Sequence, residues 1–437
     1  MKSKNLFEAY ANRLSLAERF YSEKHGHALS EQKKLVTAVC LNNVNKYLTE
    51  AFSNSVGTQL GNMGAYKKFC MTLTNLAVPD LIVYDIMAVE PMVSFSGYIA
   101  YLQIEVGSNK GQSHQGDLIN NPWQYGTTNP NYTSSSVVED FTGDNSTTEF
   151  TVAWTPLVSV AKVTVGGVAQ VEGTDYTVDT AAGKVTFTNA PATSAAIKIA
   201  YTYDNVYIPA NDLPIVTATM QPISLVARAR RIAIYYSQMA NYQAKQDYGF
   251  DLGETLATQA VGELNREIDV EAINMLIDAA GSDDSLVWSK TQPFGVSLKD
   301  HYESFANQIA IAASKLYKRT KKFAPNFMIA SADIKPVLDM VTSFQKASLA
   351  EINGPYFAGS INGIKVFISA DLPDGTYALG VANPVQKGTA AVFAPYMPVV
   401  PTQLLGMADG AMSQGFSTLY DMKILNNLLL IQGRVTA

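Results

Sequence analysis

Charge is what this 437-residue chain has little of: Asp, Glu, Lys and Arg supply 16% of it, against 47% apolar residues. About a quarter charged is usual for a globular protein. A chain so poor in charge has little surface to keep wet, which suits one that buries its exterior against copies of itself. The formal balance of −6 gives no support to a general nucleic-acid-binding surface, because neutralising phosphates takes clustered Lys and Arg. There are two cysteines, Cys40 and Cys70, which rules out a disulfide framework and fits a reducing cytosol. Histidine occurs four times. His25 and His27 share one turn, but no third ligand stands nearby, so a solvated turn is expected there and no metal site anywhere. No stretch reaches 18 apolar residues, so no membrane span is expected. The opening MKSKNLFEAYANRL lacks the apolar core of a secretory signal.

Catalytic signatures are missing as well. GSNKGQS lacks the glycine-lysine pairing of a phosphate-binding loop, and no G-x-G-x-x-G follows a strand. Ala411-Met412-Ser413-Gln414-Gly415 misses a nucleophile elbow because its first glycine is replaced. No catalytic residue, no cofactor and no enzymatic activity are therefore expected.

What the chain does contain is organised around DLGETLATQAVGELNREIDVEAINMLIDAAG, residues 251–281. Asp251 is placed as N-cap, Glu254 as its capping-box partner and Gly281 as the stop. Leu256, Ala260, Leu264 and Ile268 form one apolar row, and Ile273, Leu276, Ile277 and Ala280 continue it on a face that has drifted round the helix. The opposite face holds Glu263, Arg266, Glu267, Asp269 and Glu271, expected wet or at a subunit boundary. The interior glycines Gly253 and Gly262 each cost about 1 kcal/mol against alanine, so packing must offset them.

At this length two or three domains are expected. Residues 1–50 read as two polar-faced helices, about Leu6 to Lys24 and Ser30 to Phe52, and 51–75 as a Gly- and Asn-rich arm. Apolar strands follow, the last from Gly97 to Val106, and then some thirty polar residues without periodicity. Across 137–204, FTVAW, AKVTV, DYTVD, KVTFT and AIKIAYTY alternate between turn signals and predict a small β-sandwich of five or six strands. Arg228, Arg230 and Arg231 lie on a strand where alternation puts Arg228 and Arg230 on one face. Such arginines are expected to pair with carboxylates of a neighbouring element or subunit. Beyond Gly281 the pattern is mixed: a polar loop SDDSLVWSKTQPFG, a helix from Ser297 to Thr320, a strand FAPNFMIAS, a helix opened by Ser331 and Asp333 with Pro336 in its first turns, then strands and hairpins.

Several of these stretches resemble a known family in its own order. PDLIVYDIMAVEPMVSFSGYIAYLQIEVG, then LVARARRIAIYYSQMANYQAKQDYGFD with LATQAVGELNREIDVEAIN, then FMIAS, PYFAGSINGIKVFISADLP and AVFAPYMPVVP are similar to the major capsid proteins of tailed bacteriophages. The resemblance is to the Hong-Kong-97-type fold and, within it, the T-even-like group. It covers about half of the chain. It implies an α+β fold with an N-terminal arm, an extended loop, a peripheral domain with a spine helix at 252–280, and an axial domain. Residues 76–106 and 206–281 would be peripheral and 282–437 axial. Residues 107–205 would be the extended loop, with the sandwich at 137–204 as an immunoglobulin-like insertion.

The implied function is self-assembly into an icosahedral head shell, of hexamers and pentamers, enclosing DNA without specific binding. Implied partners are further copies, vertex, portal, scaffold and decoration proteins, and a prohead protease. The implied location is the virion, after assembly in the host cytoplasm and with no membrane. Arg228, Arg230, Glu263, Arg266 and Glu267 are the inter-subunit candidates. The group trims its N-terminus after Glu in Leu/Ile-x-Glu. Here Leu48-Thr49-Glu50 precedes Ala51, and Leu6-Phe7-Glu8, Leu16-Ala17-Glu18 and Leu29-Ser30-Glu31 also fit, so residues 1–50 are expected to act as a removable scaffold-like region. Two alternatives accompany this reading: a nanocompartment shell of the same fold, and a surface adhesin or carbohydrate-binding protein built around the sandwich.

Overall fold

The computed structural model describes residues 2–25, 28–53, 70–74, 81–120, 132–206, 213–320, 323–347, 354–383, 388–402, 404–407 and 410–436. Contacts divide the chain into two units, Met1–Ile99 with Pro222–Ala437, and Ala100–Gln221.

The first unit is built on a 29-residue helix, Leu252–Ala280, which we term the spine. The Asp251 carboxylate caps it, accepting from the backbone N–H of Gly253 at 2.9 Å and of Glu254 at 3.4 Å. Gly281 ends it at φ 63, a conformation open to glycine at little cost. The drifting apolar stripe has a physical destination. Ala257, Ala260, Val261 and Leu264 pack on Ile234, Tyr236, Val399 and Phe416 of one sheet. From Ile268 onward, Ala272, Ile273, Leu276 and Ile277 enter the large core shared with a second sheet. One helix thus serves two sheets, and its stripe must rotate to do so. Gly253 is explained by closeness: a Cβ there would lie 2.5 Å from the Tyr236 hydroxyl.

The first sheet runs in the order Ala88–Val89, Ala391–Pro401, Ala411–Ile424, Arg228–Ser237, with Leu405–Gly406 paired beside Ala411–Ile424. Residues 391–424 therefore share a sheet with Arg228–Ser237, where the sequence reading grouped everything beyond 282 together. Hydrogen bonding between strands some 180 residues apart leaves no local trace. The second sheet has seven strands, ordered Ser282–Ser289, Leu430–Thr436, Thr376–Gly380, Phe327–Ser331, Ile364–Ser369, Tyr356–Ile361, Phe344–Lys346. Helix Leu298–Thr320 lays Phe305, Ile309, Ala312 and Leu316 into the same large core. Pro336 occupies the first turn of helix Lys335–Met340, where its missing N–H costs little.

The N-terminal helices are Lys2–Ala9, Ala11–His25 and Glu31–Ser53. The last is not the polar-faced helix expected. Val36, Cys40, Leu41, Val44 and Leu48 are all buried, Val44 and Leu48 together with Met397 and Val400 of the first sheet. Asn43 Nδ2 donates to the backbone carbonyls of Met92 and Tyr396, both at 2.8 Å. The arm expected over 51–75 falls mainly outside the described residues; 70–74 is helical, with Cys70 buried.

The second unit holds a β-sandwich and most of a three-stranded sheet, Val216–Val226, Ser96–Val106, Leu118–Asn120, two strands of which run on into residues of the first unit. The sandwich has seven strands. Ser136–Thr142, Ala196–Tyr203, Leu157–Val165 and Val168–Gln170 form one sheet, and Glu149–Thr151, Lys184–Phe187 and Tyr176–Asp179 the other. Ile197, Ile199, Tyr201 and Tyr203 alternate inward along one strand and meet Phe150, Tyr176, Val185 and Phe187 from the facing sheet. Gly166 and Gly167, at φ 57 and 85, make the two-residue turn that joins Val165 to Val168.

Candidate assembly surfaces

The outward face of the spine lines an open groove of about 770 Å³ with Arg230, Arg266, Glu267, Glu271, Asp278 and Asp371 around Val270 and Met275. Arg230 reaches it from the first sheet. It pairs with Glu267 at 2.9 Å and Glu271 at 2.6 Å, both on its own chain, and also donates to the Tyr420 hydroxyl. Burial and the Glu271 carboxylate, which accepts from Tyr420 at 2.5 Å, push that hydroxyl far above its ordinary pKa. Arg266 pairs with Glu263 at 2.9 Å and Asp371 at 3.5 Å. Four of the five inter-subunit candidates thus meet on this helix face, each with a partner inside its own chain. Arg228, two residues before Arg230 on the same strand, is exposed and takes part in no ion pair among the described residues.

Asp269 departs from the wet face assigned to it. It is 6% exposed, and its carboxylate accepts from the backbone N–H of Ile82 at 3.3 Å and Val83 at 3.1 Å. These are orphan donors at the start of the short helix Val83–Ile86, so the spine caps a neighbour 187 residues away in sequence. Helical spacing alone puts Asp269 only near the boundary of the apolar stripe, and nothing local separates it from Glu267 or Glu271.

Leu48 and Glu50 lie on the last turns of Glu31–Ser53, Leu48 at 2% exposure and Glu50 exposed; Ala51 continues that helix. The same helix is tied at its other end. Lys33 reaches Asp85 at 3.4 Å, and Asp85 also holds Lys365 at 2.7 Å. Burial works to raise the Asp85 pKa, but the two lysines outweigh it and hold the carboxyl below its usual range. His25 ends helix Ala11–His25, while His27 lies outside the described residues. No group of three His, Cys, Asp or Glu able to hold a metal occurs among the described residues, and no described helix is long and apolar enough to cross a membrane.

The sequence reading also passed over Lys110. In the second unit it is buried, with Nζ donating to the Ser134 carbonyl at 2.8 Å and lying 5.3 Å and 5.1 Å from the ring centres of Trp154 and Tyr203. Those rings stack on each other. Burial pulls the ammonium pKa down, and the two ring faces compensate part of the lost hydration. A lone Lys in a polar loop carries no sequence signal of such a seat.

The family model for major capsid protein Gp23 matches residues 63–433. A curated relative, the major capsid protein of Vibrio phage KVP40, is 21% identical over 390 residues, 81% of this chain and 75% of that protein. Among solved structures, one from Mycobacterium phage Bobi matches with TM-score 0.40 and 10% identity over 81% of this chain and 89% of its own. One titled as the mature capsid of bacteriophage PhiM1 matches with TM-score 0.36 and 10% identity over 52% and 77%. The family match begins beyond the N-terminal helices and takes in the spine and nearly all of both sheets: the chain belongs to the major capsid protein Gp23 family, and its function is to form the shell of a bacteriophage capsid.

Proposed function

We propose that this shell is icosahedral, built from hexamers with pentamers of this or a related protein at its vertices, and that it encloses packaged DNA without specific binding. In this reading the spine groove is a subunit boundary, the first sheet belongs to a peripheral domain and the seven-stranded sheet to an axial one. Assembly takes place in the host cytoplasm with portal, scaffold and decoration proteins. The observation that carries it is the amount of apolar side chain a single subunit leaves in water. Tyr98, Met220, Met239, Tyr248 and Phe294 are each more than two-thirds exposed, apolar area that neighbouring copies can cover. Electron microscopy of the purified protein tests it. Closed shells with five- and six-fold capsomers are expected; tubes, open sheets or a stable monomer at micromolar concentration would overturn it.

Within that reading, Arg228, Arg230, Glu263, Arg266 and Glu267 form a charge pattern offered to a neighbouring copy. Arg266→Glu is expected to leave the fold intact and lower particle yield. An unchanged yield would mean that the face is merely wet. The N-terminal region is trimmed after Glu50, leaving Ala51 first. Because Leu48 is buried and the segment helical, cleavage requires the last turns of that helix to open first. Intact mass of protein from mature particles is the test, and a chain still starting at Met1 or Lys2 sinks it. The sandwich, an immunoglobulin-like module with a core of its own, serves as a clamp or display domain.

A further inference from the structure

The loop joining Ser282–Ser289 to helix Leu298–Thr320 carries the most exposed large side chain of the described residues, Phe294 at 108%. Every residue from 291 to 300 is exposed, yet the loop is held at three points. Val296 N–H donates to the Pro293 carbonyl at 3.2 Å, closing a turn with Gly295 at φ 83, the left-handed third position of a type II turn. Ser297 caps the following helix, its Oγ donating to Asp300 at 2.7 Å and accepting from the Asp300 N–H at 3.2 Å. At the base, His301 Nε2 meets the Ser289 carbonyl at 2.8 Å, and its ring stacks on Trp288 with centroids 4.8 Å apart. The chain therefore holds a phenyl ring out in water on a preordered turn. Such a ring buries about 150–250 Å² when covered, and preordering lowers the cost of doing so.

We propose that Phe294 is an assembly knob that docks into the cleft beside Val287 and Pro373 of a second copy of this chain. The proposal rests on the shell-forming function. That cleft, of about 360 Å³, lies at the open edge of the seven-stranded sheet; Val287 and Pro373 form its apolar spot, and the rest of the lining is polar, with Asp284, Asp374 and Arg434 among it. Leu286 and Trp288 point into the core, Trp288 against Phe305 of helix Leu298–Thr320, so Val287 faces the other side of the strand. The loop leads to the helix on the core side of the strand and contributes no residue to the lining of this cleft, which is therefore open to a neighbour's loop. The charges agree. Asp284 and Asp374 rim the cleft and Lys299 flanks the knob, and none of the three takes part in an ion pair among the described residues. Knob and cleft are different patches of one surface, so the contact is head-to-tail and closes into a ring when the rotation permits. A few large side chains buried at the centre of a contact commonly carry most of its energy.

Particle yield of the full chain, counted by electron microscopy, is the measurement, with thermal melting of the unassembled protein as the folding control. Phe294→Ser and Val287→Asp are each expected to lower yield roughly tenfold or more, tenfold corresponding to about 1.4 kcal/mol at one contact. Both side chains are substantially exposed, so melting should not move. Lys299→Glu should lower yield, and Lys299→Glu with Asp374→Lys should restore it. Wild-type yield from Phe294→Ser overturns the proposal, as does normal assembly of Val287→Asp or failure of the charge swap to rescue. Wild-type protein run in parallel reports on the shell itself, so a failure of that reading is told apart from a failure of the knob.

Discussion

The sandwich and the spine-centred unit solve the same burial problem in opposite ways. All twelve buried core residues of the sandwich fall between Val137 and Tyr203, and strands near in sequence supply one another's cover. The spine unit is closed by distant pairs. Asn43 reaches the Tyr396 carbonyl, Ala88 pairs with Val392, and Asp269 caps Val83. A module with local closure can be inserted in a chain without disturbing what surrounds it. A unit with distant closure folds only when nearly the whole chain is present, because loop-closure entropy is spent before the contacts form.

The sharpest way to break this contrast is to bury a charge in each core. Ile199→Asp and Ile273→Asp each place an unpaired carboxylate at a site of 0% exposure, a cost expected to exceed about 4 kcal/mol. Ile273→Asp should abolish soluble particles. Ile199→Asp should leave particles whose sandwich alone is cut by added protease; loss of particles there would make the sandwich part of the same folding unit. Next in size is Asp269→Ala, which strands the backbone donors of Ile82 and Val83. One of the two, Val83, is buried and the other part-buried, so the loss should be about 2 kcal/mol, read from the urea midpoint of the unassembled chain, and no measurable change would mean that water replaces the carboxylate.

The smallest effect concerns pH. Glu139 in the sandwich is half-buried and accepts from Tyr201 at 2.5 Å and from the Ala153 N–H at 3.2 Å. Burial raises its pKa above the ordinary 4.5, outweighing both hydrogen bonds. A raised folded value means that the protonated form is preferred on folding. Its contribution is therefore full below about pH 4.5 and is lost as pH rises through the raised value. The sandwich should melt slightly higher at the acid end of that window, and Glu139→Gln should remove the dependence in scanning calorimetry of the full chain. A pH slope that survives the substitution would assign it to another group.

Much of the charged cluster along the spine was legible as pattern. Glu263, Arg266 and Glu267 recur at helical spacing opposite Leu264 and Ile268, and Arg230 follows from strand alternation. Val36, Cys40, Val44 and Leu48 also stand at helical spacing, a signal masked by the Lys and Asn residues between them. Lys110 and Asp269 had no readable signature, because each is a polar residue whose burial depends on partners far along the chain.

Taken alone, the sequence determined where the spine begins and ends, that a run of short strands follows residue 136, and which family the chain resembles; it did not show that Ser282–Ser289, which reads as a polar loop, is the edge strand of the second sheet. Periodicity and caps are properties of neighbouring residues, and they survive without tertiary context. Only the tertiary structure decided that residues 391–424 share a sheet with Arg228–Ser237, that Glu31–Ser53 is docked on that sheet, and that Asp269 is a buried cap. A local pattern states that a face is apolar or a group polar. What covers that face, or satisfies that group, is fixed by contacts between residues hundreds of positions apart.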